Sequence, residues 1–166
     1  MRPRVATWVS VLTAVIVLAG GFAGWAAVQA GRWHPANQAL ADTTATGEVA
    51  EQISAALKAV FSYDYGNLAR TERAAAAVLV DGAVAQYRDT FAAAGQQASA
   101  QKLIRTTTVS ALGVQDLRGD TARVLAFLDQ QTLATTTGQQ TSSSAAVSVT
   151  ARRVDGAWKI AALDPQ

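Results

Sequence analysis

Hydrophobic and polar positions divide the chain into three regimes. From Val5 to Val28 the sequence VATWVSVLTAVIVLAGGFAGWAAV runs 24 residues without a charge. At a rise of 1.5 Å per residue this makes about 36 Å of helix, enough to cross a hydrocarbon layer of about 30 Å with some tilt. Residues 29–45, QAGRWHPANQALADTTA, mix Pro, Gly, Asn, Asp and Thr without a sustained period and predict a stalk. From Thr46 a helical period takes over. Val49, Ile53, Leu57, Val60 and Phe61 share one face, and Glu48, Glu51, Gln52, Ser54 and Lys58 occupy the rest of the turn. Thr46 is the expected N-cap, the two glutamates suit the positive end of the dipole, and Gly66 suits a left-handed stop. Asn67 offers a cap for a second helix from Leu68 to about Val80, closed by Asp81-Gly82. Val84, Tyr87 and Phe91 open a third helix that thins into the polar, Ala-rich AAAGQQASAQ.

After Lys102 the period shifts toward two and β-branched residues accumulate. LIRTTTVSALGVQDL is the first expected strand, Arg118-Gly119-Asp120 a turn and TARVLAFLDQQTLA a second strand. TTTGQQTSSS reads as a polar connection. AAVSVTARRV is a third strand, and Asp155-Gly156 is a two-residue hairpin turn into AWKIAAL. Three helices followed by four antiparallel strands give an α+β fold with the helices on one face of the sheet, which is free to curl around the first helix as an open cone. The organisation expected is a cytoplasmic tail at 1–4, a transmembrane helix at 5–28, a stalk at 29–45 and an extracytoplasmic α+β domain at 46–166.

Charge orients this arrangement. Arg2 and Arg4 precede the apolar run and no acidic residue occurs before Asp42, so the positive-inside rule puts the N-terminus in the cytoplasm and the remainder outside a cytoplasmic membrane. Trp8 at one end and Trp25 and Trp33 at the other suit the interfacial belts. A cleaved signal peptide is the competing reading, because Val28-Gln29-Ala30 has small residues at a cleavable spacing. The apolar run, however, exceeds the roughly 7–15 residues of such a signal. Gly20 and Gly24 form a G-x-x-x-G through which the helix could pack on a second copy of itself, although a segment so rich in Ala and Gly also yields that spacing by composition. Without Arg2 and Arg4 the 14 Lys and Arg fall to 12, against 12 Asp and Glu. The external part is formally neutral, which gives no electrostatic footprint for a nucleic-acid partner.

The absence of cysteine removes disulfides, thiol nucleophiles and Cys-ligated zinc. The single histidine, His34, lies in the stalk beside Trp33 and Pro35 and reads as an interfacial polar residue. No metal or other cofactor is expected, and no phosphate-binding glycine loop is present.

Several stretches, in this order, resemble the Mce-associated membrane proteins of mycobacteria and related actinobacteria: the single N-terminal anchor, Phe61-Ser62-Tyr63-Asp64-Tyr65, Ala111-Leu112-Gly113-Val114, Arg123 to Gln130, and Arg153-Val154-Asp155-Gly156-Ala157-Trp158-Lys159-Ile160. Val84 departs from the pattern, where a bulkier aromatic is expected. The resemblance implies a cystatin-like, nuclear-transport-factor-like cone of three helices on a curved four-stranded antiparallel sheet. It also implies an accessory scaffold of an Mce-type lipid or sterol transport complex. The implied partners are the complex's substrate-binding and permease proteins together with membrane lipid.

Candidate functional residues are few. Asp64, read as lying in the last turn of the first helix, sits at the unfavourable end of the dipole and calls for compensation. Either its carboxylate accepts from free N–H groups opening the second helix, between Tyr63 and Tyr65, or it makes a polar contact with a partner or in the mouth of the cone. Tyr63, Asp64, Tyr65, Tyr87 and Asp129 are the only groups available to a catalytic cavity. With no His-Asp pair or activated nucleophile, no catalytic residue is assigned and the chain is expected not to be an enzyme. Trp158 is expected under the sheet with Ile160 and Ala162 on its face, and Arg152 and Arg153 on opposite faces of their strand. Two alternatives remain beside the Mce reading. One is an inner-membrane scaffold of a secretion or conjugation channel, and the other is a cone-fold enzyme or lipid carrier with a genuine pocket.

Overall fold

The computed structural model describes Asn37–Gln166. The expected tail, the membrane helix with Gly20 and Gly24, His34 and most of the stalk lie outside the described residues. Among the described residues no helix is long and apolar enough to cross a membrane.

Three helices precede the long strands. They are α1 (Thr43–Phe61), α2 (Leu68–Val78) and α3 (Gly82–Gln101). A two-residue strand β1 (Tyr63–Asp64) is followed, after the helices, by β2 (Leu103–Arg118), β3 (Thr121–Ala134), β4 (Gln139–Val154) and β5 (Ala157–Pro165). The strands pair antiparallel in the order β1-β2-β3-β4-β5, and Leu79 adds one isolated parallel bridge to Ile160. The α+β cone is therefore as expected, with four long strands and one short edge strand that the sequence did not announce.

Val49, Ile53, Ala56, Leu57 and Val60 line the buried stripe of α1 at helical spacing. They meet Leu117, Val124, Ala126, Leu128, Val147, Val149, Ala151, Trp158 and Ile160 from the concave face of the sheet. Burial of each large aliphatic side chain here is worth about 1.5–3 kcal/mol. Most partners on the sheet are branched aliphatics, with Ala122, Ala126 and Ala151 among them. Long strands follow the sheet around it because bulges interrupt β2 between Val109 and Ala111 and between Val114 and Asp116.

The helix ends differ from expectation in instructive ways. The N-cap of α1 is Asp42, not Thr46: its Oδ1 accepts the Ala45 N–H at 2.9 Å, while the Thr46 hydroxyl donates backward to the Ala39 carbonyl. The last residues of the expected stalk are fixed to the domain. Asn37 donates to the Gln115 carbonyl and accepts the Leu117 N–H, and the Gln38 N–H donates to the Leu117 carbonyl. At the other end α1 stops at Phe61, not near Tyr65, because the chain there pairs with β2. The Thr107 hydroxyl donates to the Phe61 carbonyl at 2.9 Å, and Ser62 Oγ accepts the Thr107 N–H at 3.1 Å. Gly66 has no left-handed φ and belongs to a short 3-10 turn, Tyr65–Asn67. Asn67 does cap α2, accepting from the Arg70 N–H.

Asp81, between α2 and α3, has φ 52° and ψ −132°, a conformation natural to glycine. Its carboxylate makes no cap bond to α3 and instead meets Arg152 at 2.8 Å. Asp155 and Gly156 both have positive φ, 53° and 79°, as the expected tight hairpin demands. TTTGQQTSSS is not a simple connection. Gln139–Ser144 extends β4 in register with Asp129–Ala134, so the hairpin projects as a polar ribbon around a tip at Thr135–Gly138. Backbone pairing sustains this ribbon where side-chain burial does not. A bulge in β5 puts Leu163, not Ala162, on the concave face with Trp158 and Ile160.

The β5 edge is sealed along its length. Gln52 Oε1 accepts the Trp158 N–H at 2.7 Å, the Ile160 carbonyl accepts the Val80 N–H, and the Gln86 amide both donates to and accepts from the backbone of Leu163. Two glutamine side chains and the backbone at Val80 thus take the place of a sixth strand and remove an edge open to unwanted pairing.

Candidate functional site

The main core closes one end of the cone. At the other end Tyr63, Phe91, Ala98 and Leu103 form a second, smaller cluster, joined by the partly buried Tyr65, Leu68 and Tyr87. Between this cluster, the C-terminal end of α1 and the strands lies a cavity of about 590 Å³. That size falls in the range of small-molecule sites. Its walls are Val60, Phe61, Tyr63, Tyr87, Phe91, Ala94, Ala145, Leu163 and Pro165, and its polar groups are Gln86, Asp89, Thr90, Arg105 and Gln130.

Each wall has a local cause. The α1 stop at Phe61 turns Tyr63 inward on β1, where it is buried. Tyr87 and Phe91, four residues apart on α3, stack with ring centroids 4.9 Å apart and an interplanar angle of 17°. Arg105 is inward because β2 alternates, with Leu103, Thr107 and Val109 on the same face. Its Nε donates to Thr132 Oγ1 at 3.0 Å, and its guanidinium lies 5.1 Å from the centroid of the Tyr63 ring. Among the described residues no carboxylate stands within ion-pair distance of it.

Of the expected site residues, the fold brings Tyr63 and Tyr87 together at the cavity and leaves the others outside it. Asp64 is exposed, and its Oδ1 accepts the Gly66 N–H at 2.8 Å, capping the 3-10 turn. Because α1 has already ended, Asp64 never meets the negative end of that dipole, and the compensation sought for it is this local bond. Tyr65 packs on the rim of the second cluster. Asp129 faces outward and accepts from the Ser144 hydroxyl. Sequence reasoning missed Arg105. The signal that would have found it is a lone cation in the inward alternation Leu103, Arg105, Thr107, Val109.

Tyr87 is unusual chemically. Its hydroxyl is buried and has no hydrogen-bond partner among the described residues. Burial, with a smaller contribution from the Glu72 charge, pushes its pKa up to about 12. At neutral pH it is a neutral phenol, a poor proton acceptor, and its ring serves as wall. The cavity therefore offers apolar burial and one half-buried positive charge, a combination suited to holding a molecule. Among the described residues no group of three or more His, Cys, Asp or Glu side chains is placed to hold a metal ion.

No family model matches the chain. Uncharacterised proteins of Mycobacterium tuberculosis, from strains CDC 1551 and H37Rv, are 27% identical over 156 residues, covering 93% of this chain and 69% of their own length. Among solved structures, an IcmL-like type IV secretion system protein of Legionella pneumophila superposes with a TM-score of 0.64 at 10% identity, over 72% of this chain and 91% of that one. CagV of Helicobacter pylori, a VirB8 homologue, gives 0.62 at 11% identity over 72% and 97%. The periplasmic domain of DotI gives 0.62 at 16% identity over 71% and 92%. The domain thus has the nuclear-transport-factor-like fold of VirB8-type periplasmic domains, three helices on a curled antiparallel sheet, and its relatives in sequence are mycobacterial.

Proposed function

We propose that the chain is a non-catalytic scaffold of the cell envelope, held in the cytoplasmic membrane by residues 5–28, whose external domain docks onto other subunits of a secretion- or conjugation-type assembly. The observation that carries this reading is the whole-domain likeness to periplasmic domains of type IV secretion proteins, each matched over more than nine-tenths of its length. One feature of the fold and one of the sequence support it. The polar β3–β4 ribbon and the sealed β5 edge give a rigid body with large polar surfaces. The apolar run with Arg2 and Arg4 before it supplies an anchor of the matching orientation.

A second reading, an accessory subunit of an Mce-type lipid transport complex, is favoured by the mycobacterial origin of the sequence relatives. One experiment separates the two. Crosslinking in intact cells, followed by affinity purification and mass spectrometry, is expected to recover channel components. Reproducible recovery of Mce substrate-binding and permease proteins in their place would establish the second reading. Release of the protein from membranes by carbonate would overturn the anchored scaffold altogether.

A further inference from the structure

The cavity at the open end of the cone has a feature that scaffolding does not require. Arg105 carries five N–H donors, and within the described residues only its Nε is engaged, with Thr132. A half-buried guanidinium without a carboxylate costs solvation free energy unless an anion completes it. Three exposed arginines of the domain have acidic partners, Arg118 with Asp116, Arg152 with Asp81 and Arg153 with Glu48, and those without an ion pair among the described residues, Arg70, Arg73, Arg88 and Arg123, stand exposed to water. Arg105 lacks one while lining a cavity whose remaining wall is mostly aliphatic and aromatic. Asp89 also lines the cavity, but it is exposed on α3, where water screens its field more than that of Arg105.

We propose that this cavity binds a single-chain anionic amphiphile, with its carboxylate or phosphate on Arg105 and its apolar chain between Phe61, Tyr87, Phe91 and Leu163. The Tyr63 ring fixes the guanidinium from one side, and Thr132 orients its plane, so two Nη groups remain to grip the headgroup. About 590 Å³ accommodates one chain rather than the two of a diacyl lipid. The inference does not depend on which assembly the scaffold serves.

The test is photolabelling of the full-length protein in nanodiscs with a diazirine-bearing palmitic acid, with labelled peptides mapped by mass spectrometry. Label is expected on peptides containing Phe61, Tyr87 to Ala94 or Leu163. Arg105→Gln should reduce that labelling at least tenfold, Arg105→Lys should retain part of it, and Ala94→Trp should abolish it by filling the cavity. Circular dichroism melts of each variant confirm that the domain is folded, and since Ala94 and Arg105 lie on different elements, one unfolded variant leaves the other decisive. A matching diazirine alcohol, which carries no charge, should label at least tenfold less than the acid. Inorganic phosphate alone should fail to compete at millimolar concentration, whereas unlabelled palmitate should compete fully. Equal labelling by acid and alcohol, label confined to residues 5–28, indifference to both Arg105→Gln and Ala94→Trp, or full competition by inorganic phosphate would each overturn the proposal.

Discussion

The two ends of the cone are built from the same elements and reach opposite outcomes. At the closed end Ile53, Leu57, Val124, Val149 and Ile160 are sealed from solvent. At the open end Tyr63 and Phe91 each keep 9% exposure, the buried Tyr87 hydroxyl has no partner among the described residues, and about 590 Å³ stays unfilled. The difference comes from side-chain shape. The closed end sets branched aliphatics on α1 against Val, Leu, Ile and a few alanines on the sheet, and these leave the side chains fully buried. The open end sets planar rings from α3 against Arg105 and Gln130, which do not tile. Tight packing thus falls at the closed end, and the looser end keeps an open cavity.

The largest effect expected of a single change at the closed end is Leu57→Ala, which should lower unfolding free energy by about 2–5 kcal/mol in urea titrations of the full chain. Phe91→Ala removes more atoms yet should cost less than Leu57→Ala, about 2 kcal/mol, because it enlarges a space that already exists. If Phe91→Ala proves the more damaging, the open end is packed as tightly as the closed one and the contrast fails.

Gln52→Ala tests the seal on β5. It leaves the Trp158 N–H without its acceptor and should cost about 1–3 kcal/mol by thermal or chemical denaturation. A loss below a few tenths of a kcal/mol would mean that water replaces the amide.

The smallest effect at neutral pH belongs to Tyr87→Phe. Removing a buried hydroxyl with no partner should leave stability unchanged or raise it by up to about 1 kcal/mol. Alkaline pH sharpens this prediction. The phenol's folded pKa of about 12 lies above its ordinary 10.0, so folding favours the protonated form. That contribution is fully present below pH 10 and is lost as pH rises toward 12. The stability difference between wild type and Tyr87→Phe should therefore shift against the wild type across that interval, and a constant difference would place the hydroxyl in water.

Much of the fold is legible along the chain because its main signals are local. The switch from a period near 3.6 to one near two falls at Lys102, where α3 ends, and the left-handed φ of Lys102 makes the stop. The strand read from Thr121 to Ala134 has those bounds in the structure, since inward Ala122, Val124, Ala126 and Leu128 alternate cleanly. Asp155-Gly156 dictates its own turn. The misses share a different cause. Asp64 reads as helical along the chain, whereas the true end of that helix is set by Thr107, a residue more than forty positions away. Gln139–Ser144 reads as a loop because polar residues give no periodic signal, yet its backbone pairs with β3. Thr46 has the right chemistry for a cap and lost the position to Asp42 because Asn37 and Gln38 tie the chain to β2 first.

By itself, then, the sequence determined the α+β order, the apolar stripe of α1, the turn chemistry and the thin catalytic menu, all of which follow from neighbours within a few residues. Tertiary structure alone decided that β1 exists, that glutamines stand in for a strand, and that Arg105 meets Tyr63 and Tyr87 at one cavity. Those outcomes depend on which backbone groups and side chains arrive together from distant segments, and hydrogen-bond satisfaction and packing settle them only once the sheet has curled.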